Sequence, residues 1–280
     1  MKDILQEIIE NKRKELILQK EQLPFDELIL RLSKKQLAER SFRRALEESP
    51  TGIIAEFKRR SPSKGWIHEG ADAATIVAGY EKAGAAACSV LTDSLYFGGS
   101  SVDLIEARKR VSLPLLRKEF IIDSYQIYEA ALLGADAILL IAACLTVDEC
   151  NTFARLARCL GMEVLLEVHH ESELDRLNPC VDMLGVNNRH LGTFHTDVAI
   201  SFKMAEAMQV YADRMDVPPL LVSESGLSDA RVVEELRRAG FRGFLMGETF
   251  MREESPAEAC TQFIESCMAI TEDLPLKFEK

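Results

Sequence analysis

No stretch of this 280-residue chain approaches the run of about 20 apolar residues that crosses a bilayer as a helix. No apolar segment follows the opening Met1-Lys2-Asp3, so a secretory leader is not expected and a cytoplasmic location is. Cys-x-x-Cys is absent, although Cys88, Cys144, Cys150, Cys159, Cys180, Cys260 and Cys267 are present. Their number is odd and most lie inside apolar patterns, which fits reduced core thiols better than a disulfide framework or a metal site. His169 and His170 are adjacent, and neighbours on an extended segment point to opposite faces, so they make a poor ligand pair and are expected to be bystanders. No metal is expected. Gly-x-Gly-x-x-Gly does not follow the first apolar run, which leaves a dinucleotide-binding fold without support, and there is no nucleophile elbow. Positive charge is in short supply: 34 Lys and Arg face 45 Asp and Glu, for a net charge of −11. That balance argues against nucleic acid and against an anionic membrane as partners.

Glycine is missing from residues 1–48, and Pro24 is the lone proline there. Leu5, Ile8 and Ile9, then Leu28, Leu32 and Leu37, recur at helical spacing, so this segment reads as two or three amphipathic helices. The segment could be a dimerisation arm, a separate cap or a lid over one end of the following domain; its apolar stripes need a surface, and the mouth of that domain is the hypothesised one. From residue 50 the pattern changes. Short apolar runs alternate with amphipathic stretches: Gly52–Phe57, Ala86–Thr92, Leu113–Leu116, Ala135–Ile141, Glu163–Val168, Met183–Val186, Leu220–Ser223 and Gly243–Met246. These runs are nearly continuous in Ile, Val, Leu and Ala, as parallel strands buried on both faces should be. Gly84, Gly134, Gly161 and Gly240 precede several of them, where helix ends are expected. Eight strand–helix units predict an α/β fold, a single (β/α)8 TIM barrel over residues 49–280 with an N-terminal helical extension over residues 1–48.

Active sites of such barrels lie at the C-terminal strand ends. Here those ends carry Glu56 and Lys58, then Phe97, then Lys118 and Phe120, Glu167, Asn187 and Arg189, Ser223-Glu224-Ser225-Gly226, and Met246-Gly247-Glu248. Small-residue turns after the last two strands suit a phosphate, which would meet Gly226 and Gly247. The negative net charge would repel such a ligand, so local cations must attract it, and Lys58, Arg59, Arg60 and Lys64 fall within one short segment. Glu56 and Lys58 are two apart, share a strand face and can pair. Lys118 and Glu167 come from different strands and could meet across the mouth. A lysine beside a carboxylate is a tuned acid, but Glu56–Lys58 could equally be a buried pair that only holds the barrel end, and Asn187 could simply tie loops together. Phe97 and Phe120 suit a planar ligand, or the core. The expected chemistry is acid–base catalysis on a small phosphorylated molecule with a second anionic group.

Glu56-x-Lys58-x-x-Ser61-Pro62-Ser63, Leu116-Arg117-Lys118-Glu119-Phe120-Ile121, Leu166-Glu167-Val168, Gly185-Val186-Asn187-Asn188-Arg189 and Ser223-Glu224-Ser225-Gly226 together resemble the indole-3-glycerol-phosphate synthases of tryptophan biosynthesis. The resemblance implies ring closure of 1-(2-carboxyphenylamino)-1-deoxyribulose 5-phosphate with loss of carbon dioxide and water, and no cofactor. It implies that Lys118 is the general acid at the ketone, that Lys58, held by Glu56, binds the anthranilate carboxylate, and that Glu167 serves the dehydration. It places Asn187, Arg189, Glu224 and Ser225 around the substrate, Ser61, Ser225, Gly226, Gly247 and Glu248 near the phosphate, and Phe97 and Phe120 on the anthranilate ring. Where other members have Gly-Ser-Ser, this chain has Gly247-Glu248-Thr249, and the Glu248 carboxylate is expected to turn outward. Phosphoribosylanthranilate isomerase is a rival on the same scaffold, but it uses a Cys and an Asp where this chain has Glu56 and Lys58. A non-catalytic phosphosugar-binding protein would not need Lys118 or Glu167. A monomer or homodimer is expected.

Overall fold

The computed structural model describes residues 4–35, 40–190 and 195–272. Leu37, part of the expected helical stripe, lies outside them. Helices α1 (Ile4–Gln22), α2 (Phe25–Ser33) and α3 (Phe42–Glu48) precede strand β1 (Ile53–Phe57). A short antiparallel hairpin pairs Arg60 with Trp66 and Ser61 with Gly65. The chain continues through α4 (Ala73–Ala83), β2 (Ala87–Leu91), α5 (Ser94–Phe97), α6 (Ser101–Arg108), β3 (Leu115–Lys118), α7 (Ser124–Leu133), β4 (Ala137–Ile141), α8 (Val147–Cys159) and β5 (Glu163–Val168). It ends with β6 (Met183–Asn187), α9 (Ala199–Ala212), β7 (Leu220–Glu224), α10 (Ala230–Arg238), β8 (Phe241–Met246), α11 (Glu248–Met251) and α12 (Pro256–Glu272). The eight strands close into one barrel, and every neighbouring pair is parallel.

Each expected apolar run became a strand, with ends shifted by no more than two residues. The expected helix stops also hold: Gly84, Gly134, Gly161 and Gly240 all adopt positive φ just past a helix. One unit departs from the pattern. Between β5 and β6 the chain forms a 3-10 helix, Glu171–Arg176, in place of an α-helix. Only the segment His169–Asp182 is available there, and Pro179 with Asn178 ends it early.

Alternation along each strand splits the side chains into two cores. Ile53, Ala55 and Phe57 face outward and pack under the helices, with Val90, Leu115, Leu140 and Leu166. Ile54, Ala87, Leu116, Ala137, Leu139, Ile141, Leu165, Met183, Val222 and Leu245 point into the barrel. Side chains from the N-terminal helices close that interior. Phe42 and Leu46 of α3 join it and are buried. Ser41 Oγ and Arg43 N, which flank the start of α3, both donate to the Glu163 carboxylate at the beginning of β5, so α3 closes the N-terminal end of the barrel. Leu5 and Ile8 of α1 enter the same cluster from the other end, where Lys12 meets Asp93 and Glu119 beyond β2 and β3.

Candidate active site

The parity that sends Ile54, Leu116, Leu165 and Val222 inward carries Glu56, Lys118, Glu167 and Glu224 inward too, two residues further along the same strands. Charges placed there must pair, because an unpaired buried ion costs several kcal/mol. Lys58 Nζ donates to Glu56 Oε1 at 2.6 Å. Lys118 Nζ donates to Glu167 Oε2 at 3.1 Å and also to Glu224. Glu56, Glu167 and Glu224 are all buried. Two glycines leave room for these carboxylates. A Cβ at Gly185 would lie 2.3 Å from Glu224 Oε1, and one at Gly247 would lie 2.6 Å from Glu56 Oε1.

Burial would depress the Lys118 ammonium, but Glu224, then Glu167 and Glu56, outweigh it and hold its pKa above the ordinary value. Lys118 therefore stays charged. Burial would also raise both of its partners. For Glu167 the cation of Lys118 prevails, so its pKa falls below the ordinary carboxylate range. Glu224 is pushed up by burial, with Lys118 opposing and the neighbouring Glu167 charge adding to the rise. Burial and the neighbouring charges thus push the two carboxylates apart, Glu224 upward and Glu167 downward.

An apolar pocket opens above this cluster. Lys58, Lys118, Glu167, Asn187 and Arg189 supply its polar edge, and Leu5, Ile8, Leu91, Phe97, Phe120 and Ile141 its walls. The Phe97 and Phe120 rings are 6.1 Å apart and tilted by 38°. An adjoining polar pocket is lined by Lys64, Arg189, Ser225, Gly226, Gly247, Glu248 and Thr249. Ser225 and Gly226 there have φ of 71° and 77°, the left-handed region that a serine enters only where surrounding contacts hold it.

Most of the residues singled out from the sequence come together at this one mouth. Asn187 lines the first pocket and its Oδ1 accepts from Arg189 N at 3.0 Å. Tying loops falls instead to Asn188, which is fully buried and bonds Ser223, Ser225 O and Ser201. Ser61 is buried within the hairpin, its Oγ 3.5 Å from Ser63 Oγ, and Ser63 lines the polar pocket. One expectation needs correcting. Glu248 does not turn outward. Its carboxylate accepts from Arg189 Nη2 at 3.0 Å and lies 3.9 Å from Lys64 Nζ, because cations on that rim attract it. Arg189 Nη1 also donates to Ser63 Oγ at 2.9 Å, so one guanidinium spans the hairpin, β6 and the turn after β8.

Three groups near the site are not marked by the sequence pattern. His169, expected to be a bystander, is buried with Nε2 3.5 Å from Glu167 Oε1. Its place two residues after Glu167, on the same strand face, was the available signal. Lys12 and Glu119 form a buried ion pair at 3.0 Å beside the aromatic wall. Glu119 lies in the Leu116–Ile121 segment, whereas by sequence alone Lys12 is one of many lysines on an amphipathic helix.

The indole-3-glycerol phosphate synthase family model matches residues 5–263 of this chain. A protein named indole-3-glycerol phosphate synthase from Bacteroides thetaiotaomicron is 52% identical over 266 residues, covering 95% of this chain and 99% of its own length. Proteins of the same name from Aliarcobacter butzleri and Desulfosudis oleivorans are 42% and 40% identical, covering 93% and 94% of this chain and 98% and 99% of their own lengths. With the barrel, the paired lysines and glutamates at its mouth and these relatives in agreement, the chain belongs to the indole-3-glycerol phosphate synthase family.

Proposed function

We propose that this chain is an indole-3-glycerol-phosphate synthase acting as a carboxy-lyase on 1-(2-carboxyphenylamino)-1-deoxyribulose 5-phosphate. The observation that carries the reading is Lys118, a charged, largely buried ammonium held between Glu167 and Glu224 above an apolar pocket. A cation fixed there can protonate the substrate ketone as the ring carbon bearing the carboxylate attacks it. Carbon dioxide then leaves and aromaticity returns. Loss of the new hydroxyl as water, with removal of a proton from the adjacent carbon, completes the indole, and Glu167 is the group within reach of that exchange. Lys58, held by Glu56, would receive the substrate carboxylate. The ring would pack against Phe97 and Phe120. The phosphate would sit in the polar pocket near Ser225, Gly226 and Gly247, with Arg189 and Lys64 as its cations.

The alternative of a phosphosugar-binding protein without chemistry leaves the Lys118–Glu167–Glu224 cluster without a purpose. The test is direct: supply the carboxyphenylamino-deoxyribulose phosphate with no added metal and follow indole fluorescence. Steady formation of a fluorescent indole product is expected. Tight binding of the phosphate with no product would overturn the enzymatic reading.

A further inference from the structure

Lys12 is only 3% exposed, although it comes from a helix that lies on the barrel surface. Its Nζ is 2.6 Å from Glu15 Oε2, 2.9 Å from Asp93 Oδ2 and 3.0 Å from Glu119 Oε1. Each of the last two contacts leads to one of the pocket's aromatic rings. Asp93 is the N-cap of α5, accepting from Tyr96 N at 2.8 Å, and Phe97 is the last residue of that short helix. Glu119 accepts from Phe120 N at 2.8 Å and from Thr92 Oγ1 at 2.7 Å. The helix that carries Lys12 also contributes Leu5 and Ile8 to the same pocket. One ammonium therefore joins three separate chain segments, and all three present apolar groups to the ligand space.

We propose that Lys12 is a positioning residue for the substrate's aromatic ring, fixing the segments that hold Phe97 and Phe120 and clamping α1 over them. This rests on the synthase reading, because that reading supplies the ring. A buried lysine among three carboxylates is not needed for packing: a methionine of similar shape would fill the same space, but it would leave Asp93 and Glu119 buried without their cation. What the ion cluster adds is direction, since one charge-assisted hydrogen bond to Glu15 and two close ion pairs to Asp93 and Glu119 restrict where each partner backbone can lie. Burial would lower the Lys12 pKa, but Glu119 and Asp93 outweigh it and raise it above the ordinary value, so the clamp is charged at neutral pH. The carboxylates that hold Lys12 are not those that hold Lys118, and no proton step is assigned to it.

The experiment compares wild type with Lys12→Met and with Lys12→Met/Asp93→Asn. The double variant keeps the α5 cap while removing one of the carboxylates left without a cation. Three quantities are read: kcat and KM for the substrate, Kd for its unreactive reduced form with an alcohol in place of the ketone, and Kd for inorganic phosphate. A positioning role predicts that KM and the Kd of the reduced form rise about tenfold while kcat changes by less than about threefold, the pattern of lost uniform binding. Phosphate affinity should stay within about twofold, since phosphate meets the other pocket. A merely structural role would lower stability and leave this split unmoved. If Lys12→Met does not fold, the double variant decides. Unchanged KM and reduced-form affinity in whichever variant folds would overturn the Lys12 role alone. A wild-type protein that neither turns over substrate nor binds the reduced form would instead overturn the synthase reading, and this inference with it.

Discussion

At the scale of single residues, the site is an exercise in keeping one lysine charged where water is scarce. Lys118 relies on Glu224 and Glu167, so its removal deletes an acid and leaves two carboxylates facing each other. Lys118→Ala should lower kcat by at least about 100-fold, the usual worth of general acid catalysis, with a smaller effect on KM. A variant with wild-type kcat would leave the acid unassigned. The raised pKa of Glu224 makes a separate prediction about pH. Its folded value lies above the ordinary 4.5, so between the two the native protein holds a proton that the unfolded chain releases. Stability from this group therefore falls as pH rises through that window. Glu224→Gln imitates the protonated form and does not titrate. The difference in Tm, wild type minus Glu224→Gln, should shrink as pH is raised from 4.5 toward the alkaline side. A difference that stays flat or grows would mean that Glu224 is ionised in the native state.

At the scale of elements, legibility followed burial on both faces. A strand such as Ala137–Ile141 is covered inside and out, so its run of apolar residues has one reading. The inward parity of Glu56, Lys118 and Glu167 then follows from period two, which is why most of the site was visible before the fold was. Lys12 and Ser61 were not legible, for opposite reasons. A lysine on an amphipathic helix normally faces solvent, and only the tertiary approach of Asp93 and Glu119 shows that this one does not. Ser61 sits in a hairpin whose turn geometry, rather than strand alternation, decides which of Ser61 and Ser63 reaches the pocket. The α3 plug was illegible as well, because an apolar stripe does not state which end of a barrel it closes. Its role is testable: Leu46 is 1% exposed and packs into the barrel's N-terminal end, so Leu46→Ala should cost about 2–5 kcal/mol in denaturant unfolding. The site lies at the opposite end, so kcat and KM of the folded variant should match wild type. A large rise in KM would show that the plug and the mouth are coupled.

At the scale of the whole molecule, a closed barrel has no sheet edge at which to open, and its outer core runs continuously beneath the helices. The cysteines are placed to test whether it behaves as one unit. Cys88 lies in β2, Cys150 in α8, and Cys260 and Cys267 in α12, all buried in that outer core. Burial pushes the Cys150 and Cys260 thiols up to about 12 and Cys267 up to about 11. A thiol reagent, which attacks the thiolate, should therefore modify exposed Cys159 at once and half-buried Cys144 and Cys180 more slowly. The four buried thiols should wait for the barrel to open. If opening is global, all four react with a single rate that rises with denaturant alongside the loss of circular dichroism. Separate rates would divide the molecule. A faster Cys150 would show the α8 side parting from the barrel before the α12 side, next to the short 3-10 connection after β5 where the regular strand–helix pattern lapses.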